Sequence, residues 1–63
     1  NAYNEKVAVT INGNPGEISI TTGEDETDTI IWINADTNTL FSISGHFDQE
    51  TFIRMAESVR EKE

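Results

Sequence analysis

Apolar side chains alternate with polar ones at period two from Val7 to Ile20, β-branched and aromatic runs follow at 29–34 and 39–44, and only after Asp48 does the spacing change to that of a helix. A chain written this way makes a sheet with one apolar face and must then cover that face. Val7, Val9 and Ile11 alternate with polar or small neighbours, Asn12-Gly13-Asn14-Pro15-Gly16 carries turn chemistry, and Ile18 and Ile20 resume the alternation. The pattern predicts a hairpin. With residues 13 to 16 as its loop, Ile11 pairs with Ile18 and Val9 with Ile20, and all four share one face. A second break, Gly23 to Asp28, precedes the run Thr29-Ile30-Ile31-Trp32-Ile33-Asn34. A third, Ala35-Asp36-Thr37-Asn38, precedes Thr39-Leu40-Phe41-Ser42-Ile43-Ser44. Both runs have the β-branched and aromatic composition of strands. A four-residue loop between them sets Trp32 opposite Phe41 and Ile30 opposite Ile43, which brings the bulkiest strand side chains onto the shared face.

The closing segment supplies the cover. Asp48 reads as an N-cap, and Phe47 at N′ with Phe52 at N4 has the spacing of a hydrophobic staple, while Gly45 frees the chain to turn beforehand. Phe52, Met55, Ala56 and Val59 recur at i, i+3, i+4 and i+7, a stripe that faces the sheet and leaves Glu57, Arg60, Glu61 and Lys62 in water. Glu50 near the start and Arg60 and Lys62 near the end complement the helix dipole. The expected fold is α+β: one small domain over residues 1–63, with a four-stranded antiparallel meander (3–44) and a C-terminal helix (48–61) on one face. Its expected core is Val9, Ile11, Ile18, Ile20, Ile30, Trp32, Phe41, Ile43, Phe52, Met55, Ala56 and Val59. A chain of 63 residues buries only roughly 60% of its unfolded surface, so this core is thin.

Twelve acidic against four basic side chains give a net charge of −8, which repels phosphate backbones and anionic headgroups. Nucleic acid and direct membrane binding are therefore not expected. No apolar run approaches the roughly 20 residues of a membrane helix, and the stretch as given is expected to be soluble. Without cysteine there is no disulfide and no thiolate metal site, and the redox compartment stays open. The first residue is asparagine, and Asn1-Ala2 resembles the remnant of a cleaved affinity tag; the chain reads as the C-terminal part of a larger protein.

Few residues invite a chemical reading. Ser44, His46 and Asp48 are the three types of a catalytic triad, but a stretch that turns from strand to helix does not converge them, and Asp48 is better used as a cap. His46 lacks companions for a metal. The acidic loop Glu24-Asp25-Glu26-Thr27-Asp28 lacks the order of an EF-hand and reads as a solvated hairpin tip, with cation binding left open. Trp32 is a sugar-stacking platform if exposed and a core residue if it meets Phe41 beneath the helix. Ile31, Ile33 and Leu40 fall on the face opposite Trp32. They are either ordinary exposed strand formers or a docking strip.

The segment IIWINADTNTLFSISGHFDQETFIRMAESVREKE resembles the end of the bacterial domain-of-unknown-function 4367 family. The likeness rests on a strand carrying Trp32, an aromatic strand with Phe41, a short link at Gly45, a helix starting at Asp48, and Ala56-Glu57-Ser58. VTINGNPGEISI is similar to that family's hairpin. The resemblance implies an extracytoplasmic module of Gram-positive bacteria, carried by lipoproteins or anti-sigma-factor-like proteins behind a membrane anchor, and offers no catalytic residues. The expected function is therefore a non-catalytic sensing or protein-interaction module without a cofactor. Its partner would be another protein or the rest of the parent chain, with a homodimer through the sheet face or edge as a further option. A small-ligand or carbohydrate binder using Trp32 is the alternative.

Overall fold

The computed structural model of the chain describes residues 5–23 and 26–59. Four strands, β1 (Glu5–Ile11), β2 (Asn14–Ile20), β3 (Asp28–Asn34) and β4 (Thr39–Gly45), are followed by one helix, α1 (Gln49–Ser58). The strands form a single antiparallel sheet in the order β1-β2-β3-β4, the meander expected from the alternation. Ile11, Ile18, Ile30, Trp32, Phe52 and Ala56 are buried between sheet and helix, with Val7, Val9, Ile20, Phe41, Ile43 and Ile53 packed around them.

The β3–β4 register is the expected one. Trp32 faces Phe41, Ile30 faces Ile43 and Ile33 faces Leu40 across a loop of residues 35–38. The Trp32 and Phe41 rings stack 5.3 Å apart at 18°, an offset geometry worth about 0.5–1.5 kcal/mol beyond the area it buries.

The β1–β2 register differs from the sequence expectation. Ile11 pairs with Asn14, Val9 with Gly16 and Val7 with Ile18, not Ile11 with Ile18 and Val9 with Ile20. The turn consists of Asn12 and Gly13 alone, both at positive φ (51° and 84°), the backbone that a two-residue hairpin turn demands and that Asn-Gly supplies at least cost. Pro15 and Gly16 therefore belong to β2. The β2–β3 pairing runs from Gly16 to Ser19, so Pro15, which has no N–H to give, stands just outside it. Because the pairing changes by an even number of residues, every side chain keeps the face the alternation assigned to it.

Gly16 has a packing role. It sits between Val9 and Trp32 in the sheet, and a Cβ there would lie 2.7 Å from the Ile31 carbonyl oxygen and 2.9 Å from the Trp32 Cβ. Gly45 likewise does more than loosen the link, since a Cβ would enter the Phe47 ring, which rests over it. Phe47 in turn meets Phe52 edge-on, centroids 5.4 Å apart at 81°, and closes the staple that fixes how the chain enters the helix.

The helix is shorter than the expected 48–61. Asp48 caps its start, accepting from the Thr51 N–H at 2.8 Å, and it stops at Ser58, where Val59 turns extended (φ −74°, ψ 130°). The final carbonyls find other donors: Met55 O from the Ser58 hydroxyl (2.7 Å), Ala56 O from the Val59 N–H (3.1 Å) and Glu57 O from the Asn12 side-chain amide (3.0 Å). The hairpin tip thus caps the helix end. Val59, expected in the core, is exposed because the extended backbone carries it out of the stripe; Met55, also expected there, is only half-buried, and Ile53 rather than Met55 packs on the buried cluster. Arg60 and Lys62, expected to complement the dipole, lie outside the described residues, as do Glu61 and positions 24–25 of the acidic loop.

Gly16→Ala forces its new methyl against backbone rather than a flexible side chain. The expected cost is about 1–3 kcal/mol, roughly 5–20 °C in Tm for a domain of this size. Thermal unfolding followed by circular dichroism checks this, and an unchanged midpoint contradicts it.

Candidate functional site

Of the side chains singled out for chemistry, Ser44 and Asp48 are occupied in local structure. The Ser44 hydroxyl meets the Thr29 hydroxyl at 2.9 Å across β3 and β4, His46 is exposed in the link, and the Asp48 carboxylate holds the helix start. The three are not brought together as nucleophile, base and orienter. In the β2–β3 connection the Asp28 carboxylate accepts from the Thr21 N–H (2.9 Å) and, at 3.4 Å, from its hydroxyl, so it closes the loop. Among the described residues no group of three or more His, Cys, Asp or Glu side chains is placed to hold a metal ion.

Trp32 is 4% exposed. One face of the indole is taken by Phe41 and the ring belongs to the core cluster under the helix, so no face remains on which a sugar could stack.

What the fold leaves open is the other side of the sheet. Ile31, Ile33 and Leu40 are 39%, 44% and 63% exposed, adjacent through the Ile33–Leu40 pair. Together with Pro15 and Glu17 they rim an open depression of about 210 Å³, with Gly16 and Trp32 beneath. Its walls come from three adjacent strands: Pro15 and Glu17 on β2, Ile31 and Ile33 on β3 and Leu40 on β4. Glu17 leans toward Lys6 at 3.8 Å, a half-exposed pair of small energetic weight. The strip was readable from the alternation. The depression was not, because it depends on β2 including Pro15.

Electrostatically the described surface is acidic. Its few cations are engaged: Lys6 with Glu17, and Arg54 with Glu50 at 2.9 Å one helical turn away. Hydrogen bonds from Thr51, its side chain first and its backbone N–H second, hold the Asp48 carboxyl below the usual carboxylate value, opposed in part by desolvation and helped least by the charge of Arg54. A depressed folded-state pKa stabilises the fold above the unfolded value of about 3.9, and that contribution disappears as pH falls through the folded value. Asp48→Asn keeps the cap acceptor but does not titrate, so its midpoint should fall less steeply below pH ~4 than that of the parent, whereas Asp48→Ala should lower the midpoint throughout the neutral range. Melting curves across the acid range measure both, and parallel curves for parent and Asn variant would refute the assignment.

Neither a curated protein nor a solved structure matches the chain. A family model described as a domain of unknown function, DUF4367, matches residues 1–59, which takes in all four strands and the whole helix. The chain belongs to the DUF4367 family.

Proposed function

We propose that this domain is a non-catalytic protein-interaction module that receives a short segment of a protein partner on the helix-free face of its sheet. The observation that carries the reading is the contiguous exposure of Ile31, Ile33 and Leu40 around an open depression on the helix-free face, away from the exposed Phe47 and Val59 at the two ends of the helix. Three such side chains amount to a few hundred Å², the size of a functional patch and well short of the ~800 Å² per side of a standard interface. The site therefore suits a few apolar side chains of one segment. The net charge of −8 favours a segment with basic residues flanking those side chains. As the family resemblance implies, the module would work outside a Gram-positive cell, as the sensing or docking part of a lipoprotein or anti-sigma-factor-like protein. A lipobox or membrane span upstream in the parent reading frame would support that topology.

Replacing Ile31, Ile33 and Leu40 together with Thr tests the surface. Each change lies on an exposed strand face and should shift stability by about 0.5 kcal/mol or less. The immobilised parent domain should retain a defined protein from an envelope extract, and the triple variant should lose it at least ~10-fold, or ~1.4 kcal/mol. Equal recovery by the two removes the reading.

A further inference from the structure

We propose that the free edge of β4 pairs, antiparallel, with β4 of a second copy of this chain, joining two four-stranded sheets into one. Among the described residues β4 is an outer strand paired only with β3, and its seven residues, Thr39-Leu40-Phe41-Ser42-Ile43-Ser44-Gly45, include no charge and no proline. An edge of that kind presents a row of unpaired N–H and C=O groups without the usual safeguards. The opposite edge differs, since β1 begins with Glu5 and Lys6.

The helix explains why this edge is also apolar. It packs chiefly against β1 and β3 and less against β4. Phe41 and Ile43 point to the helix side yet stay half-buried, packed against the core from its rim. A strand added beside β4 would complete their burial.

Three features point to a second copy as that strand. β1, β2 and β3 carry Glu5 and Lys6, Glu17, and Asp28 respectively, so among the described strands only β4 can enter the seam without a charge. Antiparallel pairing centred on Ser42 uses the whole strand. It sets Phe41 opposite Ile43 of the second copy, twice, on the core side, and Leu40 opposite Ser44 on the other. This register is self-complementary about a twofold axis, as an isologous interface requires, and a slip of one residue would put the second helix on the wrong side of the sheet. The charge of −8 per copy acts against association at a distance, so the dimer should strengthen as salt screens it.

The experiment uses the natural absence of cysteine. Ser42→Cys places two thiols opposite each other at the twofold axis, where paired strand residues lie about 4.5–5.5 Å apart, within disulfide reach. Mild oxidation should give a covalent dimer of this variant much faster than of Ala8→Cys, which puts a thiol on the same sheet face but on β1. Sedimentation equilibrium of the parent should show a monomer–dimer equilibrium that shifts toward dimer in high salt. Ser42→Lys, which sets two ammonium groups face to face while lowering the overall charge, should be monomeric. A parent that stays monomeric to millimolar concentration in high salt, equal cross-linking of the two cysteine variants, or a dimer that survives Ser42→Lys overturns the proposal. A dimer that survives Ser42→Lys but is lost on replacing Ile31, Ile33 and Leu40 would instead assign self-association to the sheet face.

Discussion

One short helix must cover the apolar face of four strands, and most of the structure follows from how it is held there. Ten residues of α1 are too few to be stable alone in water, so the helix depends on its ends and on what it buries. The Asp48 cap and the Phe47–Phe52 contact fix its entry, while the Asn12 amide on Glu57 O ties its exit to the first hairpin. Between these points Phe52 and Ala56 are fully buried against Ile11, Ile18 and Ile30. A buried Phe removed to Ala costs about 3–5 kcal/mol, a large part of the 5–15 kcal/mol that holds a whole domain. Sheet and helix are consequently one cooperative unit: the helix completes the core, and the hairpin turn completes the helix.

The fold was legible because period two and period 3.6 are separated cleanly along the chain. Face assignments survive errors of pairing, and β1–β2 shows why. The expected loop was wrong, yet Val9, Ile11, Ile18 and Ile20 still point to the helix side, since the real register differs from the expected one by an even number of residues. Asn12-Gly13 carried the signal for the true turn, and it was diluted by the proline and glycine that follow. Those two residues look like turn chemistry and are not: Pro15 sits beyond the β3 ladder, and Gly16 gives room for the strand bearing Trp32.

The helix end shows the opposite limit. Phe52, Met55, Ala56 and Val59 satisfy helical spacing, but spacing does not say where a helix stops. Here the stop is set by tertiary contact, with the hairpin amide occupying a terminal carbonyl and Val59 turning extended. The buried stripe is correspondingly rotated toward Ile53. The exposed strip was readable by parity alone, whereas its depression needed the register of a strand whose beginning the sequence obscured.

The two surfaces left open differ in physical kind. The strip of Ile31, Ile33 and Leu40 offers side chains over a paired backbone, so what it binds is selected by shape, apolar area and the surrounding charge. The β4 edge offers backbone, and backbone pairing accepts any strand unless something forbids it. In this chain the acidic side chains do the forbidding over most of the surface, leaving β4 neutral. A neutral edge on a molecule of strongly negative charge would exclude acidic strands at long range, and the proposed pairing with its own copy would form only at close quarters, where the matched Phe41 and Ile43 have to outweigh a repulsion that salt can remove. Leu40 stands at the junction, on the edge strand and in the strip at once. A strand added to β4 would therefore lengthen the apolar strip sideways, and segment docking and strand pairing would be thermodynamically linked through that one residue.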